Sequence, residues 1–192
     1  MTRSGHGVKT VFLDRDGVIN VDSPDYIKTP EEFVFIPGSV DAIRRLTEKG
    51  FQIFVVTNQS LINRKMIPLE TLDRIFDKMI DGIAAGGGCI REIFYCPHAP
   101  EERCECRKPN PGMILQASRK YGLDLSQAAM VGDSAKDIRC GRNAGVALSV
   151  LVKTGNGDKA LQTLLSSDGP PDHVAANLYD AATWIIHRMT DL

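Results

Sequence analysis

Short apolar segments alternate with amphipathic helical patterns along this chain of 192 residues. Apolar runs rich in β-branched and aromatic residues predict strands at 8–13, 51–56, 90–95, 129–131 and 147–152. The segments between them predict helices at about 37–49, 69–85, 110–121 and 135–144, the third capped by Asn110. Strands that alternate with helices are joined by crossovers. The sequence therefore predicts an α/β fold with a doubly wound, mostly parallel sheet covered on both faces.

The spacing of these elements leaves little room for a second domain. Between Gly17 and Thr57, and between Ser60 and Cys96, there is length for about one helix each, so we expect no separate cap domain. A chain of this length is typical of one domain, which we assign to residues 1–192. Glycines, serines and two prolines over 154–171 predict a mobile loop around a short helix.

The composition argues against several classes of partner. Hydrophobic residues make up 43% and charged residues 24% of the chain, as in ordinary soluble proteins. The net charge of −1 lacks the basic excess that binding to nucleic acid requires. No apolar run reaches the length of a signal peptide or a membrane span. We therefore expect a cytoplasmic monomer that has neither nucleic-acid nor membrane partners.

Polar residues follow three of the predicted strands. Asp14 and Asp16 come after the first, Thr57 after the second and Asp133 after the fourth. The carboxyl ends of parallel strands meet at one edge of the sheet, where ligands bind. Asp14, Asp16 and Asp133 would supply oxygen ligands for one Mg²⁺. Asp137, one helical turn after Asp133, would orient the ligands of that ion.

Such a site suits hydrolysis of a phosphate monoester. The substrate carries roughly −1.5 to −2 charge, which repels an anionic nucleophile unless a cation is present. Asp14 would attack phosphorus and form an aspartyl-phosphate, and Asp16 would serve as general acid and base. Thr57, Asn58 and Lys108 would hold the transferring phosphoryl group.

The order of these motifs resembles that of the haloacid dehalogenase superfamily. The matching motifs are Asp14-x-Asp16-Gly17, Thr57 after a strand, Lys108 before a helix, and Gly132-Asp133-Ser134-x-x-Asp137. The resemblance extends from Val8 to Val152, and the joint pattern is specific although each motif alone is weak. It implies a Rossmann-like core and hydrolysis that depends on magnesium.

A cluster of metal-ligand residues lies between the third predicted strand and Lys108. Its members are Cys96, His98, Cys104 and Cys106. Three thiolates and an imidazole form the ligand set of a closed tetrahedral zinc site, which leaves no position open for water. We therefore predict a small structural zinc loop at 96–106 that positions Arg107 and Lys108. The alternative is free thiols beside a surface histidine.

The same segments are similar to those of the D-glycero-D-manno-heptose 1,7-bisphosphate phosphatases. The matching runs are Asp14 to Asn20, Thr57-Asn58-Gln59-Ser60, Cys96-Pro97-His98 and Cys104-x-Cys106-Arg107-Lys108-Pro109. The resemblance implies removal of the C7 phosphate from a small phosphorylated sugar. It puts substrate contacts at Asn20, Asp22, Thr57, Asn58, Gln59, Ser60, Arg107 and Lys108. The planar fork of Arg107 suits the second phosphate.

Two alternatives stay open at this point. Histidinol-phosphate phosphatases share the nucleophile loop and the zinc segment. A zinc-stabilised module that binds phosphorylated ligands without turnover would use the same basic and amide groups. Such a module would have no use for three carboxylates that repel phosphate in the absence of Mg²⁺.

Overall fold

Six strands form one sheet in the computed structural model, which describes residues 9–167 and 169–190. The strands are β1 (Thr10–Leu13), β2 (Gln52–Asn58), β3 (Glu92–Cys96), β4 (Ala128–Gly132), β5 (Leu148–Val152) and β6 (His173–Ala175). They are all parallel and lie in the order β3-β2-β1-β4-β5-β6. Val8, where the first strand was predicted to begin, lies outside the described residues.

Helices follow the strands in regular alternation. They are α1 (Ser39–Glu48), α2 (Leu69–Ala85), α3 (Gly112–Tyr121), α4 (Ala135–Ala144), α5 (Gly157–Ser167) and α6 (Leu178–Thr190). Two short 3₁₀ turns lie at Pro100–Glu102 and Leu125–Gln127. Among the described residues, no helix has both the length and the apolar character that crossing a membrane needs.

Alternate residues of the central strand β1 face two different apolar cores. Val11 and Leu13 pack in a core that includes α1, α2 and α6, whereas Phe12 packs in a second core with α3 and α4. A sheet with apolar side chains on both faces must be covered on both faces. The predicted doubly wound α/β fold is confirmed.

Several predicted boundaries differ from the observed ones. Asn110 does not cap α3: its amide donates to Cys104 O at 2.8 Å, and Pro111 takes the cap position. Strand β2 also runs further than predicted, so that Thr57 and Asn58 lie within it and pair with the last residues of β3. Thr57 is therefore held by the sheet rather than by a loop.

The C-terminal region contains more regular structure than the sequence predicted. The sequence predicted a mobile loop around a short helix. The structure instead has helix α5, which is eleven residues long. Its residues Ala160 and Leu164 are buried against Ile138 and Leu151. Strand β6 and helix α6 had no clear signal in the sequence, and residue 168 of the predicted loop lies outside the described residues.

Candidate active site

A cleft of about 610 Å³ lies beyond the carboxyl ends of the central strands. The predicted site residues that line it are Asp14, Asp16, Asp22, Thr57, Asn58, Gln59, Arg107, Lys108, Asp133 and Asp137. Asn20 and Ser60 do not line the cleft, and both are buried. The amide of Asn20 donates to Asp16 Oδ1 at 3.0 Å, so in this structure Asn20 supports Asp16 rather than forming a wall of the cleft.

The ammonium of Lys108 connects the predicted nucleophile to helix α4. Its Nζ lies 2.7 Å from Asp14 Oδ1 and 2.6 Å from Asp137 Oδ1, and it donates to Val56 O at 2.9 Å. Burial lowers the pKa of Lys108, but the two carboxylates outweigh burial and raise that pKa. The ammonium therefore keeps its charge although it is only 3% exposed.

Three carboxylates gather around this lysine. Oxygen atoms of Asp14, Asp133 and Asp137 all lie within 4.8 Å of one another. Burial raises the pKa of Asp14; Lys108 opposes that rise, and the charges of Asp137 and Asp133 add to it. Burial, followed by the charge of Asp137, also raises the pKa of Asp133, to about 7. The ammonium of Lys108 contacts two of these three carboxylates, and a divalent cation would balance the remaining negative charge of the group.

Two oxygens of this group are available to such a cation. Asp14 uses Oδ1 for its bonds to Lys108 and to the Arg15 amide, and Asp133 uses Oδ2 for its bonds to Asn156. None of the described residues donates to Asp14 Oδ2 or to Asp133 Oδ1. Since Mg²⁺ prefers hard oxygen ligands, the residues present fit this ion.

The side chain of Asp16 stands apart from this group. Arg15 donates to Asp16 through Nε at 3.1 Å and through Nη2 at 2.8 Å, and the Gln59 amide donates at 3.1 Å. Burial raises the pKa of Asp16, but Arg15 and the neighbouring amides outweigh burial and lower it. The carboxylate is therefore anionic in the free protein.

The spatial grouping of these carboxylates in the free protein differs from the grouping that the sequence predicted. The sequence grouped Asp16 with Asp14 and Asp133 around the ion and put Asp137 behind them. The structure groups Asp137 with Asp14 and Asp133, because the buried guanidinium of Arg15 holds the Asp16 side chain elsewhere. Asp16 as a metal ligand stays a prediction.

Side chains at the end of β2 tie the site together. Gln59 Nε2 donates both to Thr57 Oγ1 at 2.9 Å and to Asp16. Asn58 Oδ1 accepts from the Lys108 amide at 3.1 Å, and its Nδ2 donates to Lys108 O at 3.3 Å. The position of Lys108 is thus fixed by β2 as well as by the carboxylates.

The loop at 154–156, which was not predicted as part of the site, closes over Asp133. Thr154 Oγ1 donates to Gly17 O at 2.6 Å, and Asn156 donates to Asp133. Gly155 has φ +60°, and a Cβ on it would lie 2.2 Å from Asp133 Oδ2. A signal was present, because these polar residues directly follow the predicted strand at 147–152 and so belong to the same edge of the sheet.

The four predicted zinc ligands lie together at the end of β3. Cys106 Sγ is 3.1 Å from Cys96 Sγ, 3.4 Å from Cys104 Sγ and 3.3 Å from His98 Nδ1. Ligands of a tetrahedral zinc ion stand about 3.5 to 3.8 Å apart, given metal–ligand distances of about 2.0 to 2.3 Å. The group has the size of a metal site, and the structure brings together the whole predicted set.

The sequence is similar to known phosphatases over most of its length. Residues 105–181 match the HAD-hydrolase-like family model. The D-glycero-β-D-manno-heptose-1,7-bisphosphate 7-phosphatase of Bordetella bronchiseptica is 45% identical, over 80% of this chain and 86% of that protein. The enzyme of the same name from Yersinia pestis is 37% identical, over 100% of this chain and 95% of that protein.

The fold is similar to that of a solved structure as well. The crystal structure of D,D-heptose 1,7-bisphosphate phosphatase from Bordetella bronchiseptica, complexed with magnesium and phosphate, superposes with a TM-score of 0.87 at 40% sequence identity. The match covers 94% of this chain and 99% of that one.

Proposed function

Because the chain belongs to the D-glycero-β-D-manno-heptose-1,7-bisphosphate 7-phosphatase family of HAD-like hydrolases, we propose that it removes the C7 phosphate of that heptose bisphosphate. The chain is a phosphatase, and the observation that carries its mechanism is the position of Asp14. One oxygen of Asp14 is bound to the buried Lys108, while the other takes no hydrogen bond from the described residues. A carboxylate oriented in this way suits attack on phosphorus.

The proposed reaction has two steps. In the first, Asp16 takes up a proton as the negatively charged phosphate of the substrate binds beside it. Asp14 then forms a bond to phosphorus, the bond between phosphorus and the C7 oxygen breaks, and Asp16 gives its proton to that oxygen. In the second, water attacks the aspartyl-phosphate, Asp16 takes a proton from the water, and phosphate leaves with Asp14 regenerated. The anionic state of Asp16 in the free protein suits the base role of the second step.

We assign magnesium to the available oxygens of Asp14 and Asp133, with Asp16 as a further predicted ligand. Bound there, Mg²⁺ would supply the positive charge that offsets the charge of the substrate phosphate. Asp137 pairs with Lys108 through Oδ1 and accepts hydrogen bonds from Ser134 through Oδ2. Its proposed part is therefore to hold Lys108 in place. Lys108 and Thr57 would stabilise the transferring phosphoryl group.

The rest of the substrate would lie between two segments that line the cleft. Asp22 lies on one of them, and Asn58, Gln59 and Arg107 lie on the other side. The guanidinium of Arg107 donates to His98 O at 2.9 Å, which ties it to the cysteine cluster. We propose that zinc, bound by Cys96, His98, Cys104 and Cys106, stabilises this loop and thereby holds Arg107 for the phosphate at C1.

Steady-state turnover of the α and β heptose 1,7-bisphosphates and of histidinol phosphate, with and without Mg²⁺, tests the proposal. We expect the β heptose bisphosphate to have the highest kcat/KM and its turnover to require Mg²⁺. A higher kcat/KM for histidinol phosphate would contradict the proposed substrate. Phosphate release that is independent of metal would contradict the mechanism, and binding without any release would favour the non-catalytic module.

A further inference from the structure

The side chain of Asn156 bridges two carboxylates that belong to different parts of the site. Its Nδ2 lies 3.0 Å from Asp22 Oδ2 and 3.3 Å from Asp133 Oδ2. Its backbone amide donates to the same oxygen of Asp133 at 2.8 Å. Asp133 belongs to the metal group, whereas Asp22 lies on a segment that walls the cleft. Asn156 therefore contacts both at once.

The position of Asn156 is fixed by the backbone around it. Thr154, two residues earlier, is bonded to the carbonyl of Gly17 in the turn that follows Asp14. Gly155 adopts a left-handed conformation that brings its Cα close to Asp133, where a side chain would not fit. The loop is thus packed against the nucleophile turn, and the amide of Asn156 has a defined direction.

The bridge between Asp22 and Asp133 requires a hydrogen-bond donor that carries no charge. Two carboxylates facing one another repel, and an amide NH₂ supplies two protons without adding charge. A lysine at this place would compete with a metal for Asp133, and an aspartate would add to the repulsion. Asparagine holds Asp133 through one oxygen and leaves the other for the ion.

We infer that Asn156 is a positioning residue that couples the metal site to the sugar-binding segment. It orients Asp133 for Mg²⁺, and through the same side chain it holds Asp22 against the cleft. The inference rests on the proposed function for the identity of the sugar, but its metal-binding part does not depend on the substrate.

The first measurement is the binding of Mg²⁺, by calorimetry, to protein that has been freed of Mg²⁺ but not of zinc. We expect Asn156→Ala to weaken binding by about 10- to 100-fold, the typical effect of removing a residue that is hydrogen-bonded to a metal ligand. Asn156→Ser keeps a residue suited to the start of α5 but cannot bridge both carboxylates, so it should weaken binding as well. It also serves as the second variant if the alanine protein does not fold.

Asn177→Ala is the matched control. Asn177 precedes α6 as Asn156 precedes α5, and its carbonyl accepts from Ala181 N just as that of Asn156 accepts from Ala160 N. Asn177 does not line the cleft. We expect this variant to bind Mg²⁺ as the unmodified protein does. An equal loss in both variants, or wild-type affinity in Asn156→Ala, would overturn the inference.

The second measurement is a double-mutant cycle with Asp22→Ala, using the heptose bisphosphate and p-nitrophenyl phosphate. Asn156→Ala should raise KM for the sugar substrate by at least about 5-fold more than KM for the aryl phosphate, which offers no sugar hydroxyls to Asp22. In the double variant this sugar-specific increase should be no larger than in Asp22→Ala alone. Strictly additive effects would overturn the coupling. Failure of the unmodified protein to hydrolyse the sugar would instead reject the proposed substrate and leave the calorimetric test standing.

Discussion

Lys108 and Asp137 form an ion pair of 2.6 Å in which the two side chains are 3% and 1% exposed. The same ammonium also contacts Asp14, so this one cation stabilises a pair of carboxylates. Removing one member of a buried pair leaves an uncompensated charge, which is costlier than losing a pair on the surface.

Lys108→Met should therefore destabilise the metal-free protein by about 3 kcal/mol or more. Urea unfolding at neutral pH would measure this loss, and added Mg²⁺ should recover part of it by neutralising the remaining carboxylates. Lys120→Met is the control, because Lys120 pairs with Glu92 at 2.7 Å but is 54% exposed. That variant should lose less than about 1 kcal/mol. Equal losses would contradict the assigned role of burial.

Asp14→Asn should lower kcat by roughly 10⁴-fold or more while leaving the fold unchanged. The amide has the shape of the carboxylate but cannot form the acyl-phosphate. Turnover of the heptose bisphosphate and circular dichroism would test this, with Asp77→Asn on the exposed face of α2 as the control. Activity within a hundredfold of the unmodified enzyme would argue for a nucleophile other than Asp14.

Cys104→Ser should abolish the proposed zinc binding and lower Tm by at least about 5 °C, because metal ligation contributes folding free energy. It should also lower kcat/KM, since Arg107 is bonded to His98 within the same loop. Metal analysis by mass spectrometry should find one zinc per chain in the unmodified protein and much less in the variant. Cys89→Ser, at an exposed thiol outside the cluster, should change neither the zinc content nor the Tm. A zinc-free protein of unchanged stability would refute the structural role.

Gly155→Ala should reduce both stability and Mg²⁺ affinity, because the added Cβ would displace Asp133 Oδ2. Gly122→Ala separates this clash from backbone strain: Gly122 has a nearly equal φ of +64°, but a Cβ added to it would meet no atom within 4 Å. We expect the Gly122 variant to lose about 1 kcal/mol of stability and no metal affinity. Calorimetry with Mg²⁺ and thermal unfolding of both variants would test this. Equal losses of stability and of Mg²⁺ affinity in the two variants would show that backbone strain, and not the clash with Asp133, causes the effect.

Much of the site followed from the positions of residues along the chain. Asp14 and Asp133 each come at the end of a strand, and parallel strands bring their carboxyl ends to one edge whatever the details of packing. The cysteine cluster could be recognised from the short sequence spacing of its four members alone. These inferences use local patterns and the rule of parallel sheets, which is why they could be made without a structure.

Other features depend on contacts that spacing does not encode. The guanidinium of Arg15 is buried beneath the site, 5.8 Å from the centroid of the Phe76 ring, and this packing decides where Asp16 points. The pairing of Lys108 with Asp137 likewise joins two segments whose approach is set by the whole sheet. Asn156 had a signal in its position after β5, but a lone asparagine in a loop has no chemistry that marks it in advance.

The bond from Thr154 to Gly17 spans 137 residues of sequence. A chain truncated just before Thr154 would still contain Asp14, Lys108 and the carboxylates of the metal group. It would lack the hydrogen bond that holds the turn after Asp14. During synthesis, a nascent chain thus holds every reactive group before it can be an enzyme. We therefore expect the ability to hydrolyse phosphate to appear only after the loop at 154–156 has been synthesised and has packed against Gly17.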